Sequence, residues 1–95
     1  MERSLALLSA VADPVRWTVL HQLALRGESC VCELQEWVPV APNLLSYHLK
    51  VLREAGLVTS SRRGRWVDYA LADGAFDRLS GALPVTAVSS AASVG

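Results

Sequence analysis

The 95-residue chain predicts a mainly α fold with one small β-hairpin, in the order α-α-α-α-β-β-α. Three observations carry this. The stretch from Ala41 to Leu57, APNLLSYHLKVLREAGL, puts Leu45, Leu49 and Leu52 at i, i+4 and i+7, one edge of a helix. Leu44, Val51 and Ala55 widen that edge. A shorter helical segment that begins at Cys30-Val31-Cys32-Glu33-Leu34 lies just upstream, and Pro39 stops it. Downstream, Leu57–Ser61 and Trp66–Leu71 read as two strands around Arg62-Arg63-Gly64-Arg65. Short helix, tight turn, longer helix with a polar face, then an arginine-tipped hairpin: this is the order of a winged helix-turn-helix.

Taken in order, residues 3–12 (RSLALLSAVA) form a first helix with Leu5, Leu8, Val11 and Ala12 on one stripe and Leu7 beside it. Asp13-Pro14 supplies an N-cap and an N1 proline, opening a second helix that runs to about Leu25. Trp17, Leu20 and Ala24 line one side of it, and Val19 and Leu23 another. These two helices are expected to supply core and dimer surface. Gly27 ends the second helix. Val31, Leu34 and Val38 are the inward positions of the third. In the fourth, Pro42 fits the first turn, where its missing N–H would be unpaired anyway, and Gly56 fits the C′ position. Gly64 makes the hairpin turn, and Trp66, Val67, Tyr69 and Leu71 give the second strand its aromatic and β-branched bias. A last helix runs from Ala75 to about Leu83, with Phe76, Leu79 and Leu83 on one face. Pro84 ends or kinks it, so residues 1–83 are expected to be one domain and 84–95 a disordered tail.

Composition narrows the function. The formal net charge is zero, which argues against a globally basic nucleic-acid binder. Ala41 to Leu71, however, holds Lys50, Arg53, Arg62, Arg63 and Arg65 against only Glu54 and Asp68. Such a stripe still projects a local field over a Debye length of about 10 Å. The chain is 52% hydrophobic, high for one small domain, so part of that apolar surface is expected at a subunit interface. The start, MERSLALL, lacks the basic region, apolar run and cleavage site of a secretory signal. No apolar run approaches the roughly 20 residues that span a bilayer, so no membrane partner is expected. The expected location is a reducing cytoplasm. A disulfide between Cys30 and Cys32 would close a tiny ring, so both thiols are expected to stay available as ligands.

The phrases ADPVRWTVLHQL, ESCVCELQEWV, LLSYHLKVLREAGLV and RRGRWVDYAL resemble, in order, the ArsR/SmtB family of metal-sensing winged-helix repressors, over roughly residues 3–83. The CVC word resembles the arsenic-sensing branch, whose third-helix signature is E-L-C-V-C-D-L-C. The resemblance implies a homodimer on a palindromic double-stranded operator, released from DNA when effector binds. It implies no cofactor for folding. Three positions depart from the signature: Ser29 stands for Leu, Glu33 for Asp, and Gln35 for the third cysteine. The family's other common site uses Asp and His on the final helix, and Asp73 to Gly95 contains no histidine or cysteine.

The candidate metal ligands are Cys30 and Cys32. Thiolates select soft ions, with arsenite first and antimonite, cadmium or lead behind it. On an ideal helix, i and i+2 point about 200° apart. The pair must therefore precede the helix, or the first turn must unwind to chelate. Either way, binding would disturb the third helix and the recognition helix beside it. The bland alternative is two small buried hydrophobes, and oxidation of the pair is a second one. The third ligand stays open between a small thiol, water, Glu28 and Glu33; His21 is more simply a solvated residue.

The candidate DNA contacts are Asn43, Ser46 and Tyr47 toward base edges and phosphates, Lys50 and Arg53 along the backbone, and Arg62, Arg63 and Arg65 on the wing. His48 reads as structural or phosphate-contacting, and Trp17, Trp37 and Trp66 as core or interface. An enzyme is not expected, because no base is placed beside either cysteine and no phosphate loop or metal–water constellation appears. The rivals are a regulator of the same fold that answers to another ion or to redox state, and a soft-metal carrier without specific DNA binding.

Overall fold

A computed structural model describes residues 2–82. Five helices and three short strands follow one another as α1 (Glu2–Val11), α2 (Pro14–Arg26), β1 (Ser29–Cys30), α3 (Val31–Trp37), α4 (Pro42–Glu54), β2 (Val58–Arg63), β3 (Trp66–Leu71) and α5 (Ala75–Ala82). The expected tail, residues 84–95, and the expected apolar contact of Leu83 lie outside the described residues.

Local chemistry explains the helix boundaries. The Asp13 carboxylate accepts from the backbone N–H groups of Val15 at 2.8 Å and Arg16 at 3.2 Å, and Pro14 follows at N1. Burial pushes the Asp13 carboxyl up. The Arg16 and Val15 amides and the nearby His48 and Arg16 outweigh it and hold the carboxyl below its ordinary 3.8. Beyond α4, Gly56 takes φ 78°, a left-handed conformation that costs little without a Cβ. The Arg78 guanidinium of α5 donates to the Gly56 carbonyl, tying the last helix to that corner.

The sequence predicts a two-stranded hairpin; the structure has a three-stranded antiparallel sheet in the order β1-β3-β2. The extra strand is only two residues long, so it has no apolar alternation to reveal it. Ser29 opposes Tyr69 and Cys30 opposes Asp68. The hairpin runs in register from Val58 opposite Leu71 to Arg63 opposite Trp66. Arg62 and Arg63 therefore belong to β2, which runs two residues past Ser61, the expected strand end, and shortens the four-residue tip to two. The turn itself is Gly64-Arg65, with Gly64 at φ 58°. A positive φ at the first of two turn positions is what a tight hairpin asks of glycine.

The core forms where α2, α3 and α4 meet the sheet. Leu34, Leu45, Leu49, Leu52, Leu57, Val19 and Val58 are its largest fully buried side chains. Each contributes roughly 1.5–3 kcal/mol of transfer free energy. Trp37 is half-buried, with the Arg26 guanidinium 4.2 Å over its ring. Trp17 and Trp66, expected inside or at an interface, are 54% and 52% exposed in the single chain. Both lie beside concave apolar surface rather than within the core.

Candidate nucleic-acid interface and thiol pair

The fourth helix divides cleanly. Leu45, His48, Leu49 and Leu52 are buried, and Asn43, Ser46, Tyr47, Lys50 and Arg53 are exposed along the opposite face. His48 is a structural residue. Its Nδ1 lies 2.9 Å from Arg16 Nη1 and 3.9 Å from Asp13 Oδ1. The same Arg16 donates from Nε to the Ala10 carbonyl at 2.6 Å. This cluster fastens the buried side of α4 to the α1–α2 junction, so the polar side is presented by a supported helix.

The turn into α4 has a stitch that sequence reasoning missed. Gln35 stands where a third cysteine would be, and its amide donates to the Val38 carbonyl at 3.4 Å and to the Val40 carbonyl. Those two carbonyls belong to the turn between α3 and α4. The only signal in the sequence was an amide side chain shortly before a proline-bounded turn, which is too common to single out.

The three wing arginines differ in their surroundings. Arg62 and Arg65 are exposed. Arg63 is engaged: its Nε donates to Asp68 Oδ2 at 2.5 Å and its Nη2 to Asp68 Oδ1 at 3.1 Å. Asp68 is buried on β3. The Arg63 hydrogen bond, against burial, holds the Asp68 carboxyl below its ordinary value. Asp68 in turn raises the Arg63 value, with smaller contributions from the Glu28 and Glu33 charges. Arg63 thus serves the sheet first, and the freely offered wing cations are Arg62 and Arg65.

The cysteines lie just where the sheet becomes α3. Cys30 is extended (φ −77°, ψ 162°) and is the N-cap of α3. Its Sγ accepts from the Glu33 N–H at 3.3 Å, and Glu33 Oε1 accepts from the Cys30 N–H at 3.0 Å, a reciprocal capping box. Because Cys30 is extended, the helical 200° divergence does not apply to the pair. The Cα atoms are 5.3 Å apart and the two sulfurs are bonded to one another. This corrects the expectation of two free thiols, which assumed that the ring could not close. Glu33 is committed to the cap. His21 lies elsewhere: it stacks on Trp17, with ring centroids 4.9 Å apart, beside the groove formed by α1, α2 and α5. Among the described residues no group of three or more His, Cys, Asp and Glu side chains converges as a metal site. The pair can present two thiol sulfur donors once reduced, and the sequence holds no third cysteine.

Residues 13–60 match the family model for bacterial regulatory proteins of the arsR family. The chain belongs to the ArsR family. It is 44% identical over 64 residues to an arsenical resistance operon repressor of Bacillus subtilis (strain 168), covering 67% of this chain and 61% of that protein. It is 48% identical over 67 residues to the HTH-type transcriptional repressor SmtB of Mycobacterium tuberculosis, covering 70% of this chain and 49% of the relative. The ArsR-family chain therefore spans about half to three-fifths of the length of these curated relatives. A crystal structure of an ArsR family transcriptional regulator superposes with a TM-score of 0.76 at 28% identity, covering 84% of this chain and 81% of that one. The winged helix-turn-helix architecture is that of ArsR regulators, and these relatives are regulatory proteins rather than enzymes. No helix among the described residues is long and apolar enough to cross a membrane.

Proposed function

We propose that this ArsR-family chain is a cytoplasmic, homodimeric metal(loid)-responsive repressor. It binds operator DNA when Cys30 and Cys32 are unliganded and dissociates when the reduced pair captures a thiophilic effector. Arsenite is the leading effector, and Sb(III), Cd and Pb are its competitors. The observation that carries this reading is the double membership of Cys30. It caps α3, whose turn leads into α4, and it pairs with Asp68 on the wing strand.

DNA recognition would divide as the exposed residues divide. Asn43, Ser46 and Tyr47 meet the major groove, Lys50 and Arg53 the flanking phosphates, and Arg62 and Arg65 the wing's groove, with Arg63 as a shared cation. Ligation replaces the Cys30 sulfur's bond from the Glu33 amide with a bond to the ion. That loosens the start of α3, and both DNA-contacting elements feel it. The coupling is reciprocal, so operator DNA weakens effector binding by the same factor. The homodimer is supported by the apolar groove among Leu8, Val11, Trp17, Leu20, Phe76 and Leu79, a face with nothing over it among the described residues.

The bonded sulfurs favour one second reading: oxidation of the pair is itself the signal. Fluorescence anisotropy on DNA from upstream of the protein's own gene separates the two. The first reading expects the reduced complex to dissociate with arsenite, and the second expects it to dissociate only with a disulfide-forming oxidant. A protein that takes up the ion without retaining this DNA would be a carrier, contrary to both.

A further inference from the structure

A groove of about 410 Å³ opens beside the cysteine pair, lined by Val31, Cys32, Gln35, Arg65, Trp66 and Val67. Its size falls in the range of small-molecule sites, roughly 300–1,000 Å³. Cys32 is exposed along it. Arg65 is the one charged residue in its lining, and among the described residues Arg65 makes no hydrogen bond or ion pair. Trp66, half-exposed, and the two valines give the groove an apolar wall. A trivalent metalloid that takes two sulfurs from the chain needs a third donor; Glu28 would offer only a hard carboxylate oxygen, a poorer match to a soft ion than sulfur, and two other side chains are occupied. Glu33 holds the Cys30 amide and Gln35 holds the α3–α4 turn.

We propose that the groove seats a small carboxylate-bearing thiol as the third ligand of a trivalent metalloid on Cys30 and Cys32, with its carboxylate on Arg65. This rests on the thiol-sensing reading above and names the form in which the effector is recognised. The chemistry balances. Two equivalents of the free thiol first reduce the Cys30–Cys32 disulfide, giving the dithiol and one small-molecule disulfide. As(OH)₃ then condenses with three thiols, two from the chain and one from the small molecule. Three As–O bonds are replaced by three As–S bonds, three waters leave, and arsenic keeps its oxidation state. A carboxylate on Arg65 also removes that cation from the DNA phosphates, so the third ligand itself favours release.

The test omits DNA, so that the role of Arg65 on the wing does not interfere. The reduced full chain is titrated with arsenite in excess glutathione or in excess 2-mercaptoethanol, and the adducts are weighed by native mass spectrometry. The expected species in glutathione is protein, arsenic and glutathione at one of each. The wild type is expected to favour glutathione over 2-mercaptoethanol by about two- to fivefold in half-saturating arsenite relative to Arg65→Gln, the upper range of one exposed ion pair. Comparing the two proteins in the same solutions cancels arsenite complexed by free thiol. Arg62→Gln is expected to behave as wild type. An arsenic adduct that carries no small thiol, or an unchanged preference in Arg65→Gln, overturns the proposal and leaves arsenite sensing standing. No arsenic retained by the wild type in either thiol removes both.

Discussion

Asp68 joins two parts of the molecule. It lies opposite Cys30 across β1 and β3, and its two oxygens hold Arg63 at 2.5 and 3.1 Å. The Arg63 bond depresses its folded carboxyl value below the ordinary 3.8. Its contribution to stability is therefore complete above the ordinary value and disappears as pH falls through the lower folded one. Denaturant unfolding followed from pH 7 downward should show wild-type stability falling below about pH 4, with a shallower fall in Asp68→Asn. A second expectation concerns Asp13. Asp13→Ala leaves the Val15 and Arg16 amides without their acceptor and should cost about 1 kcal/mol in urea unfolding at neutral pH. At this scale the sequence was unevenly legible. The Asp13-Pro14 cap has a fixed spacing and could be read directly. The roles of Asp68, Gln35 and Arg16 depend on contacts between segments distant in the chain or folded back on it, for which a single sequence holds no signal.

Among the elements, α4 was the most legible, because burial of Leu45, Leu49 and Leu52 imposes the helical period on the sequence. Leu45→Ala should lower stability by roughly 2–5 kcal/mol, since the side chain is fully buried. β1 was not legible, and missing it hid how Cys30 reaches the wing. That also hid which of the two expected arrangements holds: Cys30 is extended and precedes the helix, and the small ring expected to stay open is closed. The wing was legible in composition but not in detail, because strand register decides which arginines are free. The proposed DNA contacts give this a measurable form. Arg62→Gln and Arg65→Gln should each reduce the slope of log K against log salt by about 1.8 for the dimer, one phosphate contact in each half-site. Arg63→Gln should reduce it less, because Asp68 already shares that guanidinium.

For the whole molecule, a neutral chain concentrates its positive side chains on α4 and the wing, while among the described residues α1, α2 and α5 leave apolar groups uncovered. Leu5, Trp17 and Phe76 are more than half exposed, at 62%, 54% and 56%. Burial of that face against a second copy is the proposed source of the homodimer. Sedimentation equilibrium should show a concentration-dependent dimer, and Phe76→Lys should shift the chain toward monomer. High overall hydrophobicity hinted at such a surface, but only the fold shows which side chains are left outside. The most direct measurement is arsenite titration of the reduced protein on DNA from upstream of its own gene, wild type beside the Cys30→Ser, Cys32→Ser double variant. Wild type should bind and then release the DNA as arsenite rises, while the double variant binds equally well and stays bound. Release of the double variant at the same arsenite concentration would contradict sensing by the thiol pair.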